Sequence, residues 1–209
     1  LAALPLTAED KPKNPPTPSE IVAAAKADEW VAIAPNDLLV MELAPDAKGR
    51  KRQAIIQLMP APFSQSWVGN MRKLAAAHWW DGTAIVRVQD NYVTQWGDPT
   101  EKKPLPDNLV KTSEADYVLR RDISRSKAID QALWPRNTVS HYSTYSGGFP
   151  VSAEGTPDSV RSWPIHCYAS VGVGRGLSPD AGSGAELYTV IGHAPRHLDG
   201  VRRNGYVTA

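Results

Sequence analysis

A single cysteine, Cys167, in 209 residues excludes an internal disulfide, so the fold has to be held by its core and its hydrogen bonds. A lone thiol beside His166 raises the question of a nucleophile. Its neighbours Ile165, Tyr168 and Ala169 read instead as the entry to a strand, where a small buried thiol is an ordinary core residue. Charge of one sign is lacking as well: 23 basic against 22 acidic residues leave a net charge of +1, which provides no basic surface for nucleic acid and no acidic tail. No run approaches the ~20 apolar residues that a membrane span requires, and a soluble chain is expected. Nor does the sequence open on methionine. Leu1-Ala2-Ala3-Leu4 fits either a removed signal peptide or an imposed boundary.

What is present suffices for one domain with a real core plus extensions, at 42% hydrophobic residues. Pro12, Pro15, Pro16 and Pro18, set among lysine, asparagine and threonine, favour an extended linker. Thr17-Pro18-Ser19-Glu20 then has the form of a capping box with proline at the first helical position, which predicts a short helix from Pro18 to about Lys26 with Ile21, Val22 and Ala25 as a narrow apolar stripe. Leu38 to Leu43 and Gln53 to Leu58 read as strands around the turn cluster Pro45 to Arg50. From about Ser64 to His78 the spacing of Trp67, Val68, Met71, Leu74 and Ala75 follows a helical period, with Arg72 and Lys73 on the other face. A core-facing stripe accounts for that pattern without any cofactor.

The most informative stretch runs from Asp81 to Pro99. Ala84 to Val88 and Tyr92 to Trp96 are rich in β-branched and aromatic residues, and Asp90-Asn91 between them tolerates tight-turn dihedrals, which predicts a hairpin. Regular alternation puts Ile85 and Arg87 on one face and Val86 and Val88 on the other, leaving an arginine on a strand among apolar neighbours. With Gln95, Tyr92 and Val93 the hairpin can assemble a guanidinium, a carboxamide, an aromatic ring and an aliphatic chain in one patch, suited to a largely apolar ligand carrying one amide. A solvated or ion-paired surface arginine is the other reading of the same spacing.

This stretch resembles the signature of the cyclophilin peptidyl-prolyl isomerases without a gap. The resemblance places Arg87 on the family's catalytic arginine, Gln95 on its substrate-binding glutamine, and Tyr92 and Val93 on the residues lining the proline pocket; Gly82, Gly97 and Asp98 fit too. Asp90-Asn91 replaces the family's Pro-Gly turn, and Trp96 replaces a glycine. Further on, Gly172-Val173-Gly174-Arg175 resembles the segment whose backbone pairs with bound peptide, so that Gly174 and Arg175 are implied as substrate-binding. Gly182 to Tyr188 resembles the next element, putting Tyr188 on a pocket phenylalanine and Glu186 where glutamine is usual. His193 to Gly200 resembles the one after it, with His197 at an aromatic position and Leu198 at the pocket leucine. His193 and His197 stand four apart, but Pro195 between them argues against a helical metal site.

The resemblance implies a mostly β fold, a cyclophilin-like closed antiparallel barrel capped by helices. It would comprise an N-terminal arm over residues 1–36 and a domain over 37–209, with an insertion at 100–165 and the last strands missing. In the insertion, Ser124 to Ala132 reads as a helix and Asn137 to Phe149 as an aromatic loop beside the cleft. The implied activity is rotation about X-Pro bonds in unfolded or flexible polypeptides, assisting folding, in the periplasm or otherwise exported, with a cytoplasmic location as the alternative. A monomer without metal or organic cofactor is expected, and His197 should weaken cyclosporin binding. A non-catalytic peptide-binding module or chaperone on the same scaffold is the alternative function.

Overall fold

The structure, a computed structural model, describes residues 15–121, 142–156, 159–192 and 207–208. Two compact units divide the chain, Leu1–Ala34 and Pro35–Ala209. In the first, helix α1 (Pro18–Ala24) begins as the sequence implies: the Glu20 amide donates to Thr17 Oγ1 at 3.3 Å, and the Thr17 amide donates to Glu20 Oε2 at 2.7 Å. This reciprocal pair satisfies two donors that the helix leaves over, with Pro18 at the position where no donor is needed.

The second unit opens with β1 (Leu38–Leu43) and β2 (Arg52–Gln57), an antiparallel hairpin in the register Leu38 to Gln57 through Leu43 to Arg52. Asp46 builds its turn, accepting from the Lys48 amide at 2.8 Å and the Arg50 amide at 2.9 Å. Helix α2 (Gln65–Ala76) comes after it and buries Trp67, Val68, Met71 and Leu74 of the expected stripe, with Ala75 half-buried and Arg72 exposed, and it buries Asn70 as well. Next come β3 (Ala84–Gln89) and β4 (Val93–Gly97), joined through Asp90-Asn91, where Asn91 takes φ 52°. The remaining strands are β5 (Leu119–Arg121), β6 (Tyr142–Ser146), β7 (Phe149–Thr156), β8 (Ser159–Pro164), β9 (Val171–Val173), β10 (Leu187–Val190) and β11 (Val207–Thr208).

Besides the first hairpin there are two sheets. One is five-stranded in the order β11-β9-β10-β4-β3, the other four-stranded in the order β5-β8-β7-β6. The fold is mostly β, its five-stranded sheet forming a half-barrel. Among the described strands β3 is an edge, exposed along its whole length. One face of this sheet carries Trp96, Val171, Val173 and Leu187 into the main core against Trp67, Val68 and Met71 of α2, and Tyr117 stacks on Trp67 at 5.8 Å. Burying such side chains is worth ~1.5 to 3 kcal/mol each, which makes α2 the principal clamp on the sheet.

Two stretches differ from the sequence reading. Tyr142 to Thr156, taken in part as an aromatic loop, is a hairpin: Gly147 and Gly148 turn the chain at φ 56° and 86°, and β6 pairs with β7 from Tyr142–Ala153 to Ser146–Phe149. Two consecutive glycines at positive φ supply the turn that lets the flanking residues pair. The strand expected to begin at Tyr168 begins at Val171. The Cys167 amide donates to the Ile165 carbonyl at 2.9 Å and the Ser170 amide to the Cys167 carbonyl at 3.0 Å, so Tyr168 sits 69% exposed in a turn. The helix expected over Ser124 to Ala132 lies outside the described residues.

Candidate active site

Side chains of directly opposed residues in antiparallel strands lie on one face of the sheet. Across the half-barrel, Arg87 of β3 is opposite Gln95 of β4, Gln95 is opposite Tyr188 of β10, and Tyr188 is opposite Gly172 of β9. The hairpin does this through a bulge. Ile85 pairs with Trp96 and Arg87 with Gln95, so Val86 is an extra residue on β3. A bulge breaks strict alternation and re-aims the side chains beyond it. Ile85 and Arg87 therefore do not share a face, as regular alternation suggested: Ile85 goes with Trp96 and Arg87 with Gln95.

Arg87 is exposed, its guanidinium 5.5 Å from the centre of the Tyr92 ring, and its Nη2 donates to Gln89 Oε1 on the same strand. Stacking of this kind orients a cation without neutralising it. Gln95 is half-buried, and among the described residues its carboxamide has no hydrogen-bond partner. Val93, Tyr188 and Val190 form a small buried cluster with Tyr92 packed against it. The Ile191 amide donates to the Tyr92 carbonyl at 2.9 Å, tying the end of β10 to the start of β4.

Glycines make the row possible. A Cβ on Gly172 would lie 2.2 Å from Tyr188 Cζ, so the phenol ring occupies the space a side chain there would need. A Cβ on Gly97 would fall 2.0 Å from Glu186 Oε1. The Glu186 carboxylate thus lies over Gly97 and accepts from the Asp98 amide at 3.0 Å. Burial there pushes the Glu186 carboxyl above its ordinary range; the Asp98 amide works against that rise, and the charges of Glu101 and Asp98 add to it. Gly174 donates its amide to the Glu186 carbonyl at 2.8 Å and lies where an added Cβ would meet Glu186 Cβ at 3.0 Å and Gln95 Nε2 at 3.7 Å. Gly174, Glu186 and Gln95 are therefore brought together.

Arg175 is not part of that cluster: its Nη1 donates to the Gly176 carbonyl at 2.9 Å, and its charge acts on the Tyr117 hydroxyl at the α2 side, where burial raises the phenol to about 12. His193, His197 and Leu198 lie outside the described residues. Among those that are described, no group of three or more His, Cys, Asp or Glu side chains could hold a metal ion. A cleft of about 200 Å³ lined by residues including Phe63, Gln65, Tyr117 and Pro164 shares no lining residue with the row.

Helix α2 fixes the loop that delivers Glu186 and Tyr188. Trp67 Nε1 donates to the carbonyls of Ala181 and Gly182 at 3.1 and 3.0 Å and Asn70 Nδ2 to that of Ser183 at 3.0 Å, while Trp80 Nε1, from the turn after the helix, donates to that of Ala185 at 2.8 Å. On the other side of the hairpin, Asp98 accepts from the Lys103 amide, the Thr100 hydroxyl and the Thr100 and Lys102 amides, which together hold its carboxyl down at about 2 against an opposing effect of burial. Three participants escaped the sequence reading in these roles. Gln89 binds the guanidinium, Gly172 makes room for the phenol, and His166, fully buried, places Nε2 2.9 Å from the Tyr188 hydroxyl. Only Gly172 carried a signal, since glycine inside a strand marks a place of close approach.

The class so defined is a mostly β fold whose half-barrel sheet presents an arginine, a glutamine and a buried aromatic ring in one row. The family model described as "Cyclophilin type peptidyl-prolyl cis-trans isomerase/CLD" matches residues 59–201, and the chain belongs to that family. Among solved structures it is similar to cyclophilin AquaCyp293 from Hirschia baltica, with 20% identity and a TM-score of 0.57 over 79% of this chain and 64% of that one. The chain thus spans 64% of the length of that relative. No curated protein matches it.

Proposed function

We propose that this chain is a peptidyl-prolyl cis-trans isomerase acting on flexible, proline-containing polypeptides. The observation that carries the reading is the register row Arg87–Gln95–Tyr188, which sets the three side chains that such chemistry needs on one face of one sheet. An X-Pro bond resists rotation with a barrier of ~18 to 20 kcal/mol because the nitrogen shares its lone pair with the carbonyl. Twisting through a right angle ends that sharing, and the nitrogen turns pyramidal and more basic. A guanidinium held against it donates a hydrogen bond worth more to the twisted form than to either planar one, which lowers the barrier. Arg87 takes that role after exchanging its bond to Gln89 for the substrate.

Gln95 donates to a peptide oxygen and keeps one side of the bond still. Gly174 lets the peptide backbone approach, while Tyr92, Val93 and Tyr188 shelter the proline ring, worth ~1.5 to 3 kcal/mol on full desolvation. No proton leaves or arrives, so the scheme assigns no step to a cofactor. An exported site of action belongs to the same reading, carried by the resemblance alone, and cell fractionation tests it. Kinetics on a short peptide with one X-Pro bond test the chemistry: Arg87→Ala should slow the catalysed rate at least about tenfold with the circular dichroism spectrum unchanged. Equal turnover by the variant would remove Arg87 from the mechanism.

A further inference from the structure

We propose that His166 is a positioning residue for the substrate row, holding the buried ring of Tyr188 in a single orientation beneath it. The proposal rests on the isomerase reading above and adds a residue which that reading does not use. Tyr188 is only 4% exposed, so its hydroxyl needs a protein partner, and His166 Nε2 supplies one at 2.9 Å. The two rings lie nearly parallel, 15° apart with centroids at 6.0 Å. Gly172 clears the space beneath the phenol, since any Cβ there would fall 2.2 Å from Cζ. The ring is therefore pinned at its far end by a hydrogen bond and seated over Gly172, in the space that a side chain there would need. A phenyl ring in the same slot would have no such tether.

The imidazole is itself a fixed point. His166 is wholly buried and sits between a cross-strand bond, the Ile165 amide donating to the Pro150 carbonyl at 2.9 Å, and a turn, the Ser170 amide donating to the Cys167 carbonyl at 3.0 Å. Pro150 belongs to β7, so the four-stranded sheet sets the place of a group that acts on the five-stranded one. Tyr188 is the register partner of both Gln95 and Gly172, which puts the tethered ring inside the row. A ring held in this way binds planar and twisted substrate alike, so loosening it raises KM and spares kcat.

The test measures kcat and KM on a short peptide with one Ala-Pro bond for the wild type, His166→Phe, His166→Gln, Tyr188→Phe and the double variant His166→Phe/Tyr188→Phe. His166→Phe should raise KM by about fivefold or more with kcat within about twofold, and His166→Gln, whose amide restores a partner, should bring KM back to within about twofold of wild type. Tyr188→Phe should reproduce the KM rise, and the double variant should be no worse than either single one, because both ends of one hydrogen bond are then gone. The proposal is overturned by a folded His166→Phe with wild-type KM, by a fall in kcat alone, or by effects that add. Should His166→Phe fail to fold, Tyr188→Phe decides: an unchanged KM overturns it. A wild type that does not turn over defeats the isomerase reading and this proposal together, whereas an active wild type with silent His166 variants defeats this proposal only.

Discussion

Arg87 shows what one extra residue does. The arginine, the glutamine and the turn between them are legible in the sequence because β-branched and aromatic runs flank Asp90-Asn91. Val86 as a bulge is not, since alternation looks the same whether or not the register slips by one. The direction of the Glu186 carboxylate escaped for a similar reason. It depends on the empty space over Gly97 and on a free amide at Asp98, which only the paired strands bring to that point.

Two pH effects belong to this scale. Glu186 titrates above 4.5 when folded, so in the window above 4.5 the folded state binds more protons than the unfolded one, and stability falls as pH rises through it. Glu186→Gln, whose carbonyl still accepts from the Asp98 amide, should flatten that decline, as read from urea midpoints between about pH 4 and pH 8. Asp98 has the opposite sign. Its folded value of about 2 against 3.8 gives a contribution that is complete above 3.8 and lost as pH falls toward 2. Asp98→Ala should remove that acid-side slope and free the amides of Thr100, Lys102 and Lys103 to exchange, which hydrogen-exchange measurements would show; unchanged protection would refute the assignment.

At the scale of elements, helix α2 sets the geometry of the site without contributing a residue to it. Its apolar stripe is plain in the sequence, because burying Trp67, Met71 and Leu74 at helical spacing decides the element. Its polar work is not, since Asn70 could have been a surface residue by type. Asn70 is instead completely buried, donating to the Val110 and Ser183 carbonyls at 2.9 and 3.0 Å and accepting from the Val110 amide at 2.8 Å. Asn70→Ala strands those backbone groups and should cost at least about 2 kcal/mol in denaturant unfolding. A cost under about 0.5 kcal/mol would mean that the loop finds other partners. The hairpin β6–β7 was read in part as a loop because its Gly147-Gly148 pair and polar residues look like an excursion. The partner that stabilises it, β8, lies beyond Thr156 in the chain and is visible only once the three strands pair.

For the molecule as a whole, the fold class was legible because a gapless run around Arg87 and Gln95 carries the family's pattern, and the family match extends from 59 to 201. Among the described strands the half-barrel has β3 at its edge, so the row runs from exposed Arg87 on that edge to buried Tyr188 inside the sheet. Among the described residues no helix is long and apolar enough to cross a membrane. The arrangement across strands, which decides whether the scattered residues meet, comes from the register of β3, β4, β10 and β9 and from no single segment. The most direct test of that arrangement is exchange NMR on a proline peptide in the presence of a small amount of the chain. The account predicts cis–trans exchange cross-peaks with the wild type that fade with Arg87→Ala and with Gln95→Ala; peaks absent with the wild type, or undiminished in both variants, would contradict it.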